Sequence, residues 1–302
     1  MNIVTQHTNC SAGFTYMQIG SNGNIGKCMR NLREQKSTFN IKDIKSINDL
    51  NDMQDNITHK CELTCDMFCD KEWCFHWTRE KVKNGWAYIS RFGNIRQDDI
   101  LSNRYENIHV VIYPTYKCKY DCLYCDVHSY NEIFGSHYTE ELPNEEWIRF
   151  IDIINEKYKK IMLSISGGEP FERSDIICDI VKRYPDFYIS IVSNLSNPIL
   201  DFVKSVKNHG NIFINGSIHP TSKHFNFDIF LGRAILLKES GFNISVSLVG
   251  YPEQLWLFNR YKEIFDNYQI GFVVQVCEGM GDFVLPKNIE NIYGVYGDYS
   301  PC

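Results

Sequence analysis

From Ile108 to about Glu278, short apolar runs take turns with longer amphipathic stretches, and this alternation limits the possible folds more than any other feature of the chain. The runs NIHVVIYP, KIMLSISG, FYISIVSN, NIFINGSIHP, FNISVSLVGYP and IGFVVQV are rich in β-branched residues and read as six strands. Between them, Leu142 to Lys160, Ser174 to Tyr184, Pro198 to Asn208, Asp228 to Ser240 and Glu253 to Asp266 have helical spacing. In the first of these, Trp147, Phe150, Ile151, Ile154 and Tyr158 fall near one face, and Pro143 stands where a first turn tolerates it. Strands that alternate with helices are parallel and joined by right-handed crossovers, in an open sheet or a barrel, with ligands at the strands' carboxyl ends. The segments KCKYDCLYC, GGEP, SNLSN, SIHP and VGYP fall at those ends.

At 302 residues the chain is about twice a usual single domain, so one large α/β domain or two unequal ones fit its length. An apolar fraction of 43% and a charged fraction of 23% are those of a soluble globular protein, and no apolar run approaches the roughly 20 residues of a membrane span. The start, MNIVTQHTNC, lacks the basic segment and apolar run of a signal peptide, which argues for the cytoplasm, where thiols stay reduced. The 12 cysteines therefore read as ligands before disulfides. A formal charge of −6 offers no basic stripe for nucleic acid, so a peptide or small molecule is the better partner.

Cysteine placement divides the chain. Cys10, Cys28, Cys61, Cys65, Cys69 and Cys74 lie in the first quarter, Cys118, Cys122 and Cys125 follow the first strand of the alternating region, and Cys178, Cys277 and Cys302 are scattered. We expect a Cys-rich domain over residues 1–80, a linker over 81–104 and the alternating core over 105–302.

The trio at 118, 122 and 125 has intervals of four and three. A closed zinc site takes four ligands, and His128 is the one nearby candidate for a fourth. An iron-sulfur cubane on three cysteines keeps one iron open for a non-protein ligand, as catalytic metal sites do. A zinc site and a packing trio are the alternatives.

The spacing C-x3-C-x2-C with Tyr124 before the last cysteine resembles the cluster loop of radical S-adenosylmethionine enzymes. In that family the loop follows the first strand, a GGEP-like segment follows the second, and the fold is a partial (β/α)6 TIM-like barrel, all matched in order here. The resemblance implies a 4Fe-4S cluster on Cys118, Cys122 and Cys125 whose open iron binds S-adenosylmethionine. Reductive cleavage then gives methionine and a 5′-deoxyadenosyl radical that removes hydrogen from substrate. It places Gly167, Gly168 and Glu169 at the methionine amino group and Tyr124 near the adenine. Ser193, Asn194 and Ser217 become candidates for the ribose or carboxylate. A turn role for the glycines and local capping for the other three are the bland readings.

His219 in SIHP is a candidate acid or base by its ordinary pKa, with a turn or pocket role as alternative. Cys277 ends the last strand as a radical partner, a ligand or a packing residue, and Cys178, among Ile176, Ile177 and Ile180, reads as core.

In the first quarter, two short strand-like pieces flank SNGN, a hairpin signal that would bring Cys10 and Cys28 together. Cys61, Cys65 and Cys69 recur at intervals of four, one side of a helix. The whole is similar to the auxiliary-cluster domains called SPASM or twitch, with two departures: it precedes the core, and its second group reads C-x3-C-x3-C-x4-C. That implies a second 4Fe-4S cluster on Cys10, Cys28 and two of Cys61, Cys65, Cys69 and Cys74, with zinc, including His76, as the alternative. Cys302 in YSPC completes a cluster or begins a further motif.

Such auxiliary domains are common among peptide maturases, so the expected activity is hydrogen abstraction from a peptide or protein, with flavodoxin or ferredoxin as electron donor. The same chemistry on a sugar, nucleotide or antibiotic precursor is the second expectation. A noncatalytic iron-sulfur or zinc protein is the third, against which GGEP argues.

Overall fold

The computed structural model describes residues 16–26, 32, 39–56, 77–82, 85–90, 107–122, 124–125, 140–206, 210–250 and 252–275. These fall into two compact units. The first holds the described residues up to Ile112 together with Leu142–Leu163, and the second holds those of Tyr113–Glu141 and those from Ser164 onward.

The first unit begins with strand β1 (Tyr16–Ile19), antiparallel to β2 (Asn24–Gly26), which pairs with β3 (Phe39–Asn40). The SNGN turn closes this hairpin as the sequence predicts: Gly20 N–H donates to Asn24 O and Gly23, at φ +89°, donates to Gly20 O. Helix α1 (Ile47–Asn56) starts behind Ser46, whose hydroxyl accepts from Asp49 N–H while the Asp49 carboxylate accepts from Lys45 N–H. Strands β4 (Trp77–Val82) and β5 (Gly85–Ser90) form an antiparallel hairpin that runs into the stretch expected to be linker.

Strand β6 (Asn107–Ile112) is the first of the expected six, and it carries a difference from expectation. It pairs in parallel with β1, Tyr16 opposite His109 through Ile19 opposite Ile112. Residues of the expected Cys-rich domain thus extend the core's own sheet. The reason is burial: all four residues of β1 are buried, as a strand covered on both faces requires. Helix α2 (Asn144–Lys157) buries Trp147, Phe150, Ile151, Ile153 and Ile154, with Pro143 as its N-cap. Its Arg149 donates to the carbonyls of Ile41 and Ile44 and pairs with Glu146. Strand β7 (Lys160–Ile165) leads out of this unit.

In the second unit the predicted alternation continues. Ser164 and Ile165 end β7, and helix α3 (Ser174–Arg183), β8 (Tyr188–Ser193), α4 (Leu200–Ser205), β9 (Ile212–Ile218), α5 (Phe227–Glu239), β10 (Asn243–Val249), α6 (Phe258–Asn267) and β11 (Gly271–Gln275) follow. Strands β8 to β11 are parallel neighbours in chain order. The helix expected from Glu253 begins as a 3-10 turn over Pro252–Leu257. Period two sorts each strand: Ile189, Ile191, Ile212, Ile214, Val246, Leu248 and Phe272 are buried, and a Cβ on Gly216 of the same face would stand 3.0 Å from the Phe230 ring of α5. The opposite face carries Ser190, Asn215, Ser217, Ser245 and Ser247, and β8 to β11 hold no charged residue.

Candidate functional site

The cysteine loop leaves β6 at Tyr113 and is strapped to the GGEP segment at the end of β7. Gly168 N–H donates to Thr115 O (3.0 Å) and Glu169 N–H to Lys117 O (2.7 Å). Two glycines are needed here for a steric reason. A Cβ on Gly167, at φ +133°, would stand 2.2 Å from Thr115 O, and one on Gly168 would stand 2.3 Å from Lys117 O. The close approach that Gly167 and Gly168 permit in this structure is to the cysteine loop's backbone. Thr115, fully buried, adds a second tether: its hydroxyl donates to Glu141 and accepts from Lys117 N–H. Arg173 and Lys117 reach the same Glu141 carboxylate.

Glu169 follows the glycines and is completely buried. One carboxylate oxygen accepts from Phe171 N–H (3.0 Å) and from the Ser193 hydroxyl (2.7 Å), and the other accepts from Asn194 N–H (2.8 Å). Burial pushes its pKa up to about 7, against the opposing pull of these donors. Glu169 therefore ties the end of β7 to the end of β8. Ser193, which also accepts from Leu195 N–H, is spent inside this tie.

Asn194 reaches the cysteines. Its side-chain N–H donates to Cys118 Sγ at 3.3 Å, and Tyr120 backbone N–H donates to the same sulfur at 3.4 Å. The three thiols are in no disulfide, with Cys122 buried and Cys118 and Cys125 partly exposed. Burial pushes Cys118 up to about 11 and Cys122 up to about 12; like charge from Cys125 adds to both, and from Cys118 to Cys122. Cys125 N–H closes a turn onto Cys122 O.

Tyr124 stands in a polar network at the ends of β9 and β10. Its phenol hydroxyl lies 2.9 Å from His219 Nδ1, and the two rings stack at 5.8 Å. Gln254, fully buried, lies against the same hydroxyl, donates to Val249 O and accepts from Thr221. Burial holds the His219 imidazole down to about 4 and pushes the Tyr124 phenol well above its ordinary value. A neutral His219 shares one hydrogen bond with the Tyr124 hydroxyl at neutral pH, and that bond orients the phenol. Ser217 sits near the end of β9, 7% exposed, opposite Ser247 of β10.

Cys118, Cys122, Cys125, Tyr124, Gly167, Gly168, Glu169, Ser193, Asn194, Ser217 and His219 all belong to the second unit. The sequence reading missed Thr115, Glu141 and Gln254. A buried amide just beyond the strand-end segment VGYP was the available signal for Gln254. Cys10, Cys28, Cys61, Cys65, Cys69, Cys74, Cys277, Cys302, His76 and His128 lie outside the described residues. Cys178 sits on α3, where Ser205 donates to its sulfur at 3.2 Å.

Among the described residues no group of three or more His, Cys, Asp and Glu side chains is arranged to hold a single metal ion. A cubane takes one thiolate per iron and asks the sulfurs to stand apart. Three soft thiols on one loop, with N–H donors already aimed at one sulfur, suit such a cluster.

Parallel strands alternating with helices, with three thiols and a Gly-Gly-Glu strap at their carboxyl ends, define an α/β protein. Residues 112–256 match the family described as the Radical SAM superfamily. A 4Fe-4S cluster and S-adenosylmethionine are what that family implies. No curated protein matches the chain. Among solved structures it is similar to a tagged form of anSMEcpe with bound AdoMet, at 17% identity and a TM-score of 0.47, covering 58% of this chain and 52% of that one. It is also similar to Streptococcus suis SuiB bound to S-adenosylmethionine, at 14% identity and a TM-score of 0.49, covering 72% and 53%. SuiB bound to precursor peptide SuiA matches at 14% identity and a TM-score of 0.47, covering 62% and 46%. The chain spans about half the length of these structures. Among the described residues no helix is long and apolar enough to cross a membrane.

Proposed function

We propose that the protein holds a 4Fe-4S cluster on Cys118, Cys122 and Cys125 and uses S-adenosylmethionine to abstract hydrogen from a peptide or protein substrate. When bound, the cluster and S-adenosylmethionine supply the 5′-deoxyadenosyl radical, the step that amino-acid side chains alone do not provide. The chain's part is to fix and shield. The observation that carries this reading is the strap of Gly168 and Glu169 onto Thr115 and Lys117, which holds the cysteine loop against the ends of β7 and β8. Through Glu169 the strap also orders Asn194, and so the surroundings of Cys118. Tyr124, oriented by His219 and Gln254, is the residue we assign beside the adenine.

The uncharged face of β8 to β11, where Ser190, Asn215, Ser217, Ser245 and Ser247 stand among Val192, Phe213 and Val249, suits a substrate that hydrogen-bonds without charge. Within that class, the Cys-rich first quarter and its resemblance to auxiliary domains of maturases favour a peptide. We assign a second cluster to Cys10, Cys28 and two of Cys61, Cys65, Cys69 and Cys74.

The test is anaerobic. Iron-reconstituted protein with dithionite and S-adenosylmethionine is expected to release 5′-deoxyadenosine, read by mass spectrometry, and Cys118→Ala is expected to release none. A short Cys-rich or Ser-rich peptide encoded beside the gene should raise that release and change mass itself. Stimulation by sugars or nucleotides, with the peptide inert, would replace the peptide reading. A fully loaded protein that cleaves nothing with any of them would sink the whole proposal.

A further inference from the structure

Asn194 is held at three points. Its backbone N–H is bound by the buried Glu169 carboxylate, and its side-chain oxygen accepts from Ser196 N–H at 2.8 Å. Its side-chain nitrogen donates to Cys118 Sγ. The second contact settles the third. A backbone N–H can only donate, so the atom facing Ser196 is the amide oxygen, and the amide N–H2 is left facing the sulfur. The following residue shows how tightly this corner is drawn: Leu195, buried, adopts a left-handed φ of +52°, and Arg233 binds its carbonyl. With Tyr120 N–H on the same sulfur, Cys118 receives two N–H donors from two different segments.

We propose that Asn194 is a positioning residue that sets the reduction potential of the cluster, through its side-chain N–H on Cys118 Sγ. The inference rests on the cluster assignment above, and it gives Asn194 a role toward the metal in place of one toward the ribose or carboxylate. A donor at a cluster sulfur stabilises the more negative, reduced state and raises the potential. Radical chemistry of this kind begins with an electron entering the cluster. A higher potential makes that electron easier to supply and weakens the drive to pass it on, so this one amide sets the balance between loading and delivery. The neighbouring ties serve the same end, because Glu169 and Ser196 hold the amide where an unrestrained side chain would turn to water.

The experiment is a spectroelectrochemical titration of the anaerobic, iron-loaded full chain, without S-adenosylmethionine, for wild type, Asn194→Ala and Asn194→Asp. Asn194→Ala is expected to lower the potential: at a fixed poise its reduced-to-oxidised ratio falls by roughly threefold to tenfold, part of the strength of a charge-assisted hydrogen bond. Tenfold corresponds to about 59 mV for one electron. Asn194→Asp keeps an oxygen for Ser196 and puts a negative oxygen where the donor stood, so its potential is expected to fall further. If Asn194→Ala takes up no iron, Asn194→Asp alone decides. Potentials unchanged in the iron-loaded variants overturn the inference. So does a shift in Asn194→Ala with Asn194→Asp at the wild-type value, because the turn is then what matters. Wild-type protein that loads no iron at Cys118 overturns the cluster assignment and this inference with it.

Discussion

His219 and Glu169 show how burial, more than residue type, sets what a side chain does at this site. The imidazole of His219 is depressed from 6.5 to about 4, so in the fold it stays neutral where the unfolded chain binds a proton. Between those two values the unfolded state carries more protons, and stability falls as pH falls through the window from about 6.5 to about 4. Glu169 has the opposite sign. Raised from 4.5 to about 7, it keeps a proton that the unfolded chain has lost, and its contribution falls as pH rises through that interval. Urea denaturation of the metal-free protein at about pH 7 and about pH 5 separates them: the wild type is expected to lose more stability on acidification than His219→Asn, since both share Glu169. Equal losses would show that the imidazole is not held neutral. None of this was legible in SIHP, because the enclosing groups, Tyr124 and Gln254, lie far off in the chain and meet the imidazole only in the fold. The cysteines were legible because a chelating trio within eight positions is a local pattern. Ser193, Asn194 and Glu169 were legible as residues, but not the protein partners they hold, since each such partner lies at another strand end.

The elements of the core were largely readable, and for a physical reason. The strands are short β-branched runs that sort their residues with period two, and the helices between them have helical spacing, so the pattern separates the two from Asn107 to Gln275. The parallel pairing of β1 with β6 was not readable. Four residues carry too little pattern to specify a partner so distant in the chain, and the nearby SNGN turn explains β1 fully as half of a hairpin. The pairing makes β1 a core strand, and Ile19, fully buried opposite Ile112, is its test. Ile19→Ala is expected to cost about 2–5 kcal/mol in urea denaturation, as a large-to-small change in a packed core does. A cost below about 0.5 kcal/mol, the level of a surface change, would mean that β1 is not part of the core.

At the scale of the whole molecule, nine of the twelve cysteines fall in two groups, six in the first quarter and three on the loop after β6, and metal content tells what each group holds. The trio on the loop after β6 is strapped to the GGEP segment whether or not metal is bound, because the strap is made of backbone hydrogen bonds and a steric fit at Gly167 and Gly168. Removing the trio's sulfurs leaves that docking intact, so Cys118→Ala, Cys122→Ala and Cys125→Ala combined should fold and lose only what the loop holds. If the first-quarter cysteines carry a second 4Fe-4S cluster, wild-type protein reconstituted without oxygen binds about eight irons per chain and the triple variant about four. The variant would then keep visible absorbance and fail to release 5′-deoxyadenosine. If those cysteines hold zinc, the wild type binds about four irons and about one zinc, and the triple variant is colourless with its zinc retained. Iron and zinc measured together on the two proteins decide between these metals, because thiolates suit both and only the count of each differs. Iron lost completely from the triple variant, with no zinc, would leave the first-quarter cysteines without a metal and remove the main support for a maturase-like arrangement.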